Sequence, residues 1–128
     1  MSKSFKPSGY NSLSPYFVVN DAAKFMELMK KIFDAKELRR YDNTDGTIMH
    51  AELMIDDSVI MFAEGNENYP PHKLMLHVYV KDVHQTYQRA LDQGCTGIEA
   101  PVNKPGDPDT RGSFTDYAGN FWAVGTQV

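Results

Sequence analysis

The sequence predicts an α+β domain in which two βαβββ repeats form a cupped mixed sheet around a cleft. The order strand, helix and three short strands occurs twice along the chain. The triplet Val-Asn-Asp at 19–21, before the first helix, matches Val-Lys-Asp at 80–82, before the second. A tight turn at 56–57 has its counterpart at 118–119. Internal repetition constrains topology more strongly than local propensity does, so the two halves are expected to form the same unit.

The first repeat is predicted at about 14–64, after a flexible segment at 1–13 that is rich in Ser, Lys, Gly and Asn. Asp21 follows the first strand, and its carboxylate suits the N-cap of a helix. Apolar residues then recur at spacings of three and four from Phe25 to Phe33, which is the period of an amphipathic helix. The predicted strands of this repeat are 15–19, 37–41, 48–55 and 59–63, with a hairpin turn at Asp45-Gly46.

The second repeat is predicted at about 74–127, after a polar linker at 65–72 that contains two prolines. Asp82 is placed as the N-cap of the second helix and Gly94 as its C-terminal cap. The predicted strands of this repeat are 74–80, 98–102, 113–116 and 121–125. The two repeats together predict one domain at 14–128.

Composition excludes several classes of function. The chain has 128 residues, which is the size of one domain, and its formal net charge of -4 offers no basic field for nucleic acid. No apolar run reaches membrane-spanning length, so no membrane association is expected. Cys95 is the single cysteine and has no intrachain partner for a disulfide. These features predict a cytoplasmic protein.

Four motifs together carry a resemblance to a known family. They are Val-Val-Asn-Asp at 18–21 with the helix through 33–35, Asp-Gly-Thr-Ile-Met-His-Ala-Glu-Leu at 45–53, Leu-His-Val-Tyr-Val-Lys-Asp-Val at 76–83, and Asp-Tyr-Ala-Gly-Asn-Phe-Trp at 116–122. The chain resembles the glyoxalase/bleomycin-resistance/dioxygenase superfamily, also called the vicinal oxygen chelate superfamily, and looks most similar to its PhnB-like branch. The resemblance implies a paired βαβββ fold, assembly as a homodimer, and a cleft that takes a small molecule.

The resemblance also implies where a metal would bind. Metal-dependent members of the family use His, Glu or Gln from the first and last strands of each half. The matching positions here hold Ser14, Met61, Met75 and Ala123. These residues do not suit a hard or borderline divalent cation, so we expect no metal site and no cofactor.

Three residues are candidates for catalysis. His50 and Glu52 lie two apart on a strand and therefore share a face, as do His77 and its neighbours on the first strand of the second repeat. If both faces line the cleft, His50, Glu52 and His77 form an acid–base set or an unusual site for Zn, Ni, Mn or Fe. The alternative is that the histidines are hydrogen-bonded structural residues.

The candidate ligand-binding residues are mostly aromatic or Met side chains, with one arginine beside a glycine in the long loop that could reach an anionic ligand. They are Tyr16, Met61, Met75, Tyr79, Arg111, Phe121 and Trp122. Core packing is the alternative role for each aromatic residue. Glu64, at the end of a strand, is expected to face solvent. We therefore favour a protein that binds a small organic molecule without the family's usual metal. The alternative is a metal-dependent lyase or dioxygenase.

Overall fold

The computed structural model describes residues 4–128, which form two helices and eight strands. The first repeat consists of β1 (Tyr16–Val19), α1 (Ala22–Phe33), β2 (Lys36–Asp42), β3 (Ile48–Ile55) and β4 (Ser58–Glu64). The second consists of β5 (Met75–Tyr79), α2 (Val83–Asp92), β6 (Thr96–Val102), β7 (Asp109–Thr115) and β8 (Phe121–Gln127). Among these described helices, none is long and apolar enough to cross a membrane.

Each repeat builds its own four-stranded sheet. The strand orders are β1-β4-β3-β2 and β5-β8-β7-β6, so each repeat uses the same order. In each sheet the first strand pairs with the last in parallel, and the remaining pairs are antiparallel. The sheets are therefore mixed, and the predicted fold of two βαβββ repeats is confirmed.

The start of α1 is held by a residue from a distant strand. Asp21 caps the helix as predicted, accepting from Lys24 N at 3.3 Å, although its own φ of 56° lies in the left-handed region. Glu64, at the end of β4, accepts from the backbone N–H groups of Asp21 at 2.7 Å and Ala22 at 2.9 Å. The expectation that Glu64 simply faces solvent is wrong, because its carboxylate satisfies free amides at the positive end of the helix dipole.

The second helix begins and ends as the sequence predicts. Asp82 accepts from Gln85 N at 3.2 Å, which is the N-cap hydrogen bond. Gly94 follows the last turn with a φ of 89°, a conformation that glycine adopts without steric cost.

One hydrophobic core joins the two repeats. Phe17 of β1 stacks on Trp122 of β8 with ring centroids 5.6 Å apart, and Phe33 of α1 lies 5.1 Å from the same indole. Trp122 is 1% exposed and its Nε1 donates to Asp116 at 2.9 Å. Trp122, a predicted ligand-binding residue, fills the junction between the repeats and also contributes to the wall of a cleft beside β5.

Candidate functional site

The outer face of the first sheet carries a polar cluster. Tyr16, Met61, Glu52 and Arg39 are register partners across β1, β4, β3 and β2, so their side chains share one face. The opposite face carries buried residues such as Phe62 and packs on α1. We call the outer face the repeat-one face and define it by Tyr16, Arg39, Tyr41, His50, Glu52 and Met61.

His50 lies between a tyrosine and a carboxylate on this face. The Tyr16 hydroxyl is 2.9 Å from His50 Nδ1, and His50 Nε2 is 2.7 Å from Glu52 Oε2. The rings of Tyr16 and Tyr41 both stack near the imidazole, with centroids 5.6 and 6.3 Å away. Two of the three predicted catalytic residues are therefore in direct contact.

Glu52 is 4% exposed, although it lies on the outer face, because Tyr10 covers it. The Tyr10 hydroxyl donates to Glu52 Oε1, and Arg39 lies 3.7 Å from the same oxygen and 5.2 Å above the Tyr10 ring. Burial raises the pKa of Glu52, but hydrogen bonds from His50 and Tyr10, with the nearby positive charges, outweigh it and lower the pKa overall. Glu52 is therefore a buried carboxylate held in its ionised form.

Tyr10 belongs to the segment predicted to be flexible, of which residues 1–3 lie outside the described part of the chain. Nothing in the local pattern of this segment points to Glu52, which is 42 positions away.

The outer face of the second sheet carries a different cluster. Tyr79 and Arg111 are both register partners of Gly125, and Met75, His77 and Phe121 lie on the same side. We call this the repeat-two face and define it by Met75, His77, Tyr79, Arg111 and Phe121. Two Asp residues from the loop and the start of β7, Asp107 and Asp109, contact it.

Arg111 is held by two carboxylates and one histidine. Its Nε donates to Asp107 at 2.9 Å, Nη2 lies 2.8 Å from Asp109, and Nη1 donates to His77 Nε2 at 3.1 Å. The hydrogen bond to Asp107 raises the pKa of Arg111 further, so the guanidinium stays charged. Since an arginine only donates, His77 Nε2 is the acceptor in this contact. The two carboxylates offset the guanidinium charge, which makes Arg111 a poor partner for the anionic ligand that the sequence suggested.

His77 does not join the other two catalytic candidates within one chain. It contacts Arg111 and the edge of Tyr79, whereas His50 and Glu52 contact each other. Across residues 4–128, no group of three or more His, Cys, Asp or Glu side chains is arranged to hold a metal ion. The three-residue set is therefore not assembled in one copy of the chain.

Among the described residues, a larger and a smaller cleft lie between the two repeats. The larger, about 550 Å³, lies between α1, α2 and the turn after β3, with Asp34, Lys81 and Arg89 among its lining. The smaller, about 390 Å³, lies between the turn into β4, the segment before β1, and β5, where Leu13, Ile60 and His77 line it. Tyr79 lines both clefts. Of the predicted site residues, His77 and Trp122 also line the smaller cleft.

The side chains at the four positions that the resemblance assigns to metal ligands do not fit a divalent metal. Met75 is 76% exposed and offers a soft thioether, Met61 offers another, and Ala123 offers no donor atom. Ser14 Oγ is buried without a hydrogen-bond partner, but one hydroxyl is not a ligand set. We therefore derive no chemistry through a metal at these positions.

The sequence matches a known protein family and two uncharacterized relatives. The sequence profile of the Glyoxalase/Bleomycin resistance protein/Dioxygenase superfamily matches residues 11–124, and the chain belongs to this family. An uncharacterized protein of Mycobacterium bovis is 34% identical, covering 91% of this chain and 84% of that protein. An uncharacterized protein of Mycobacterium tuberculosis is also 34% identical, covering 91% of this chain and 75% of its own length.

Solved structures share the fold at lower sequence identity. TioX from Micromonospora sp. ML1 has a TM-score of 0.77 at 19% identity, covering 92% of this chain and 99% of TioX. TnmS3, an antibiotic binding protein from Streptomyces sp. CB03234, has a TM-score of 0.67 at 19% identity, with coverage of 92% and 98%. The fosfomycin resistance protein FosX from Listeria monocytogenes, complexed with Mn(II) and sulfate, has a TM-score of 0.70 at 13% identity, with coverage of 92% and 90%.

Proposed function

We propose that this protein binds a small organic molecule on its outer sheet faces without the divalent metal used by other members of the family. The observation that carries the proposal is the set of side chains at the four metal-ligand positions, namely Ser14, Met61, Met75 and Ala123. The metal-dependent lyase or dioxygenase remains the alternative, and its case rests on the pair His50 and Glu52. That pair lacks a third ligand among the described side chains.

The ligand we propose is flat, largely apolar and uncharged. Met75 is 76% exposed and Tyr79 is 61% exposed, so the repeat-two face offers a thioether and a ring to a ligand. Methionine adapts to varied apolar shapes and contacts aromatic rings favourably. The positive charge of Arg111 is already offset by Asp107 and Asp109, and the negative charge of Glu52 disfavours an anionic ligand on the repeat-one face. This surface is suited to binding and sequestering an aromatic antibiotic. TnmS3, which shares the fold, is an antibiotic binding protein and supports this proposal.

A ligand screen in the presence of EDTA tests this proposal. Flat aromatic antibiotics are screened by thermal shift, and hits are titrated by following the fluorescence of Trp122, the single tryptophan. Met75→Gln replaces an exposed thioether on the repeat-two face and should weaken binding about 3- to 10-fold through lost apolar contact. Met49→Gln is the matched control, since Met49 is 52% exposed on β3 but is not part of either defined face.

Two results contradict the proposal. One is binding that occurs only when a divalent metal is added back after EDTA treatment. The other is an equal loss of affinity in Met75→Gln and Met49→Gln, because the ligand then does not distinguish the two surfaces.

We also propose that the protein is a homodimer in which a second copy covers the outer strands. All seven residues of β2 are exposed, and six of the seven residues of β6 are exposed. Apolar side chains on these strands, such as Leu38, Ile98 and Val102, are 38–56% exposed. Exposed strand edges with apolar side chains are usually covered in native proteins. Light scattering should give twice the chain mass, and a value of one chain mass at micromolar concentration would contradict the dimer.

Assignment to the PhnB-like branch and a cytoplasmic location stay predictions. The first is supported by the motifs at 45–53 and 116–122, and the second by the single cysteine, which has no partner for a disulfide.

A further inference from the structure

A hydroxyl, an imidazole and a carboxylate follow one another on the repeat-one face. Tyr16 Oη, the two ring nitrogens of His50 and Glu52 Oε2 are joined by contacts of 2.9 and 2.7 Å. This is the order nucleophile, base and orienting group that activates a hydroxyl in many enzymes. It lies on strands of one sheet, which hold side chains more rigidly than loops do.

A general base must be neutral to accept a proton, and in the neutral form of His50 the partner of each nitrogen decides where its one ring proton lies. Glu52 is ionised, because its pKa is lowered, and a carboxylate only accepts hydrogen bonds. His50 Nε2 must therefore carry the hydrogen that faces Glu52. The other nitrogen, Nδ1, then has a free lone pair, so the Tyr16 hydroxyl donates to it. Tyr16 is left with its oxygen lone pairs directed away from the imidazole.

Exposure is graded along this line. Glu52 is 4% exposed, the His50 side chain is 26% exposed, and Tyr16 is 39% exposed. The hydroxyl that would react is therefore open, and the group that orients the imidazole is shielded. Tyr10 and Arg39 fix the second carboxylate oxygen, so Glu52 has no freedom to turn away from His50.

We propose that Tyr16 is a nucleophile activated by His50, with Glu52 as the positioning residue, and that it accepts acyl groups from small activated esters. As Tyr16 Oη attacks the ester carbonyl, its proton passes to His50 Nδ1 and a new Oη–C bond forms. The bond to the leaving group breaks, and His50 returns the proton to the departing oxygen. Glu52 stabilises the imidazolium between these events. No oxidant, metal or cofactor is needed, and the step does not depend on the binding function proposed above.

Other tyrosines of the same chain are internal controls. Tyr69 is 71% exposed and Tyr41 is 54% exposed, so both are more open than Tyr16. Within the described part of the chain, no histidine accepts a hydrogen bond from either hydroxyl. Tyr79 is 61% exposed but donates to Asp109, which leaves its proton beside a carboxylate and not beside an imidazole. Exposure alone predicts that Tyr69 reacts fastest, whereas general-base activation predicts Tyr16.

To test this, the folded protein is treated with p-nitrophenyl acetate at several pH values and sampled at several times. Peptide mass spectrometry then measures how fast each tyrosine is acetylated. General-base assistance is worth about 10²- to 10⁴-fold, so Tyr16 should be acetylated at least about 100-fold faster than Tyr69. His50→Gln should remove most of this advantage, and Tyr69→Phe should leave the Tyr16 rate unchanged. Glu52→Gln should lower the Tyr16 rate and also change its pH profile.

The pH profile separates a chemical role from a structural one. Burial and the nearby charge of Glu52 raise the pKa of Tyr16 above the ordinary tyrosine value of 10.0. In the wild type, the Tyr16 rate should nevertheless reach a plateau well below that raised pKa, because His50 and not hydroxide removes the proton. In His50→Gln and Glu52→Gln, the rate should instead rise steadily towards that pKa. Labelling in the order of exposure, or a stable acetyl group on His50 in place of Tyr16, would overturn the proposal. The comparison among tyrosines is made in the wild-type protein, so it stands even if a variant misfolds.

Discussion

Replacing Glu52 with Gln tests whether the repeat-one face is organised around a buried negative charge. In the folded protein Glu52 accepts from Tyr10 and His50 and lies 3.7 Å from Arg39. A glutamine keeps one acceptor oxygen, but its amide cannot accept the second hydrogen bond. Hydrogen bonds to charged groups contribute about 1.5–3 kcal/mol, so losing one from a part-buried donor should lower the free energy of unfolding by about 2 kcal/mol at pH 7. Urea denaturation followed by Trp122 fluorescence measures it.

The contribution of Glu52 to the free energy of unfolding depends on pH in a defined direction. The folded pKa of Glu52 is below its unfolded value of 4.5, so its ionisation stabilises the protein above pH 4.5. That stability is lost as the pH falls through the lowered folded pKa. The wild type and Glu52→Gln should therefore differ most at neutral pH and converge below pH 4.5. Glu99→Gln is the control, since the exposed pair with Lys104 should be worth less than about 1 kcal/mol. Equal stability of the wild type and Glu52→Gln at pH 7 would refute the reasoning.

Three further predictions concern groups outside that cluster. Asp116→Ala should lower the free energy of unfolding by about 3 kcal/mol or more, since the buried carboxylate accepts hydrogen bonds from Trp122 Nε1 and the Asn120 side chain. Asp116→Asn should lower it by less, and similar urea midpoints for the two variants would contradict this. Glu64→Ala should cost about 1–2 kcal/mol by uncapping α1, as measured by urea denaturation, and no change would mean that the cap is unimportant. Burial raises the pKa of Cys95 to about 11, so about 0.1% of this cysteine is thiolate at pH 8. In the folded protein, Cys95 should therefore react with Ellman's reagent far more slowly than it does in the urea-unfolded chain, and equal rates would contradict its burial.

Local signals were sufficient to predict most of the fold. The spacing of apolar residues predicted α1. Asp21 and Asp82 were identified as N-caps because a carboxylate at the start of a helix accepts hydrogen bonds from the free amides of the first turn. The strand predicted at 48–55 matches β3, Ile48–Ile55. The strand predicted at 113–116 began too late, because β7 starts at Asp109 in a segment crowded by prolines. There, pairing with β8 decides the strand start, and local propensity does not.

The candidate site was less predictable, because its contacts join residues far apart in the sequence. Alternation along one strand placed His50 beside Glu52, which is a local signal. Tyr10 and Glu64 act on partners 42 and 43 positions away, and no periodicity reports such contacts. His77 was grouped with His50 on the condition that both strand faces line one cleft, whereas the structure pairs it with Arg111. Residue chemistry identified the groups, and only the packing of the sheets could assign their partners.

We propose that this chain keeps the fold of its family and lacks the family's divalent metal. The most direct test is elemental analysis of protein expressed in metal-replete medium and purified without chelator. We expect Zn, Ni, Mn and Fe each at far below one equivalent per chain, with a melting temperature that EDTA does not change. One tightly held equivalent of any of these metals per chain, lost together with thermal stability on EDTA treatment, would contradict it.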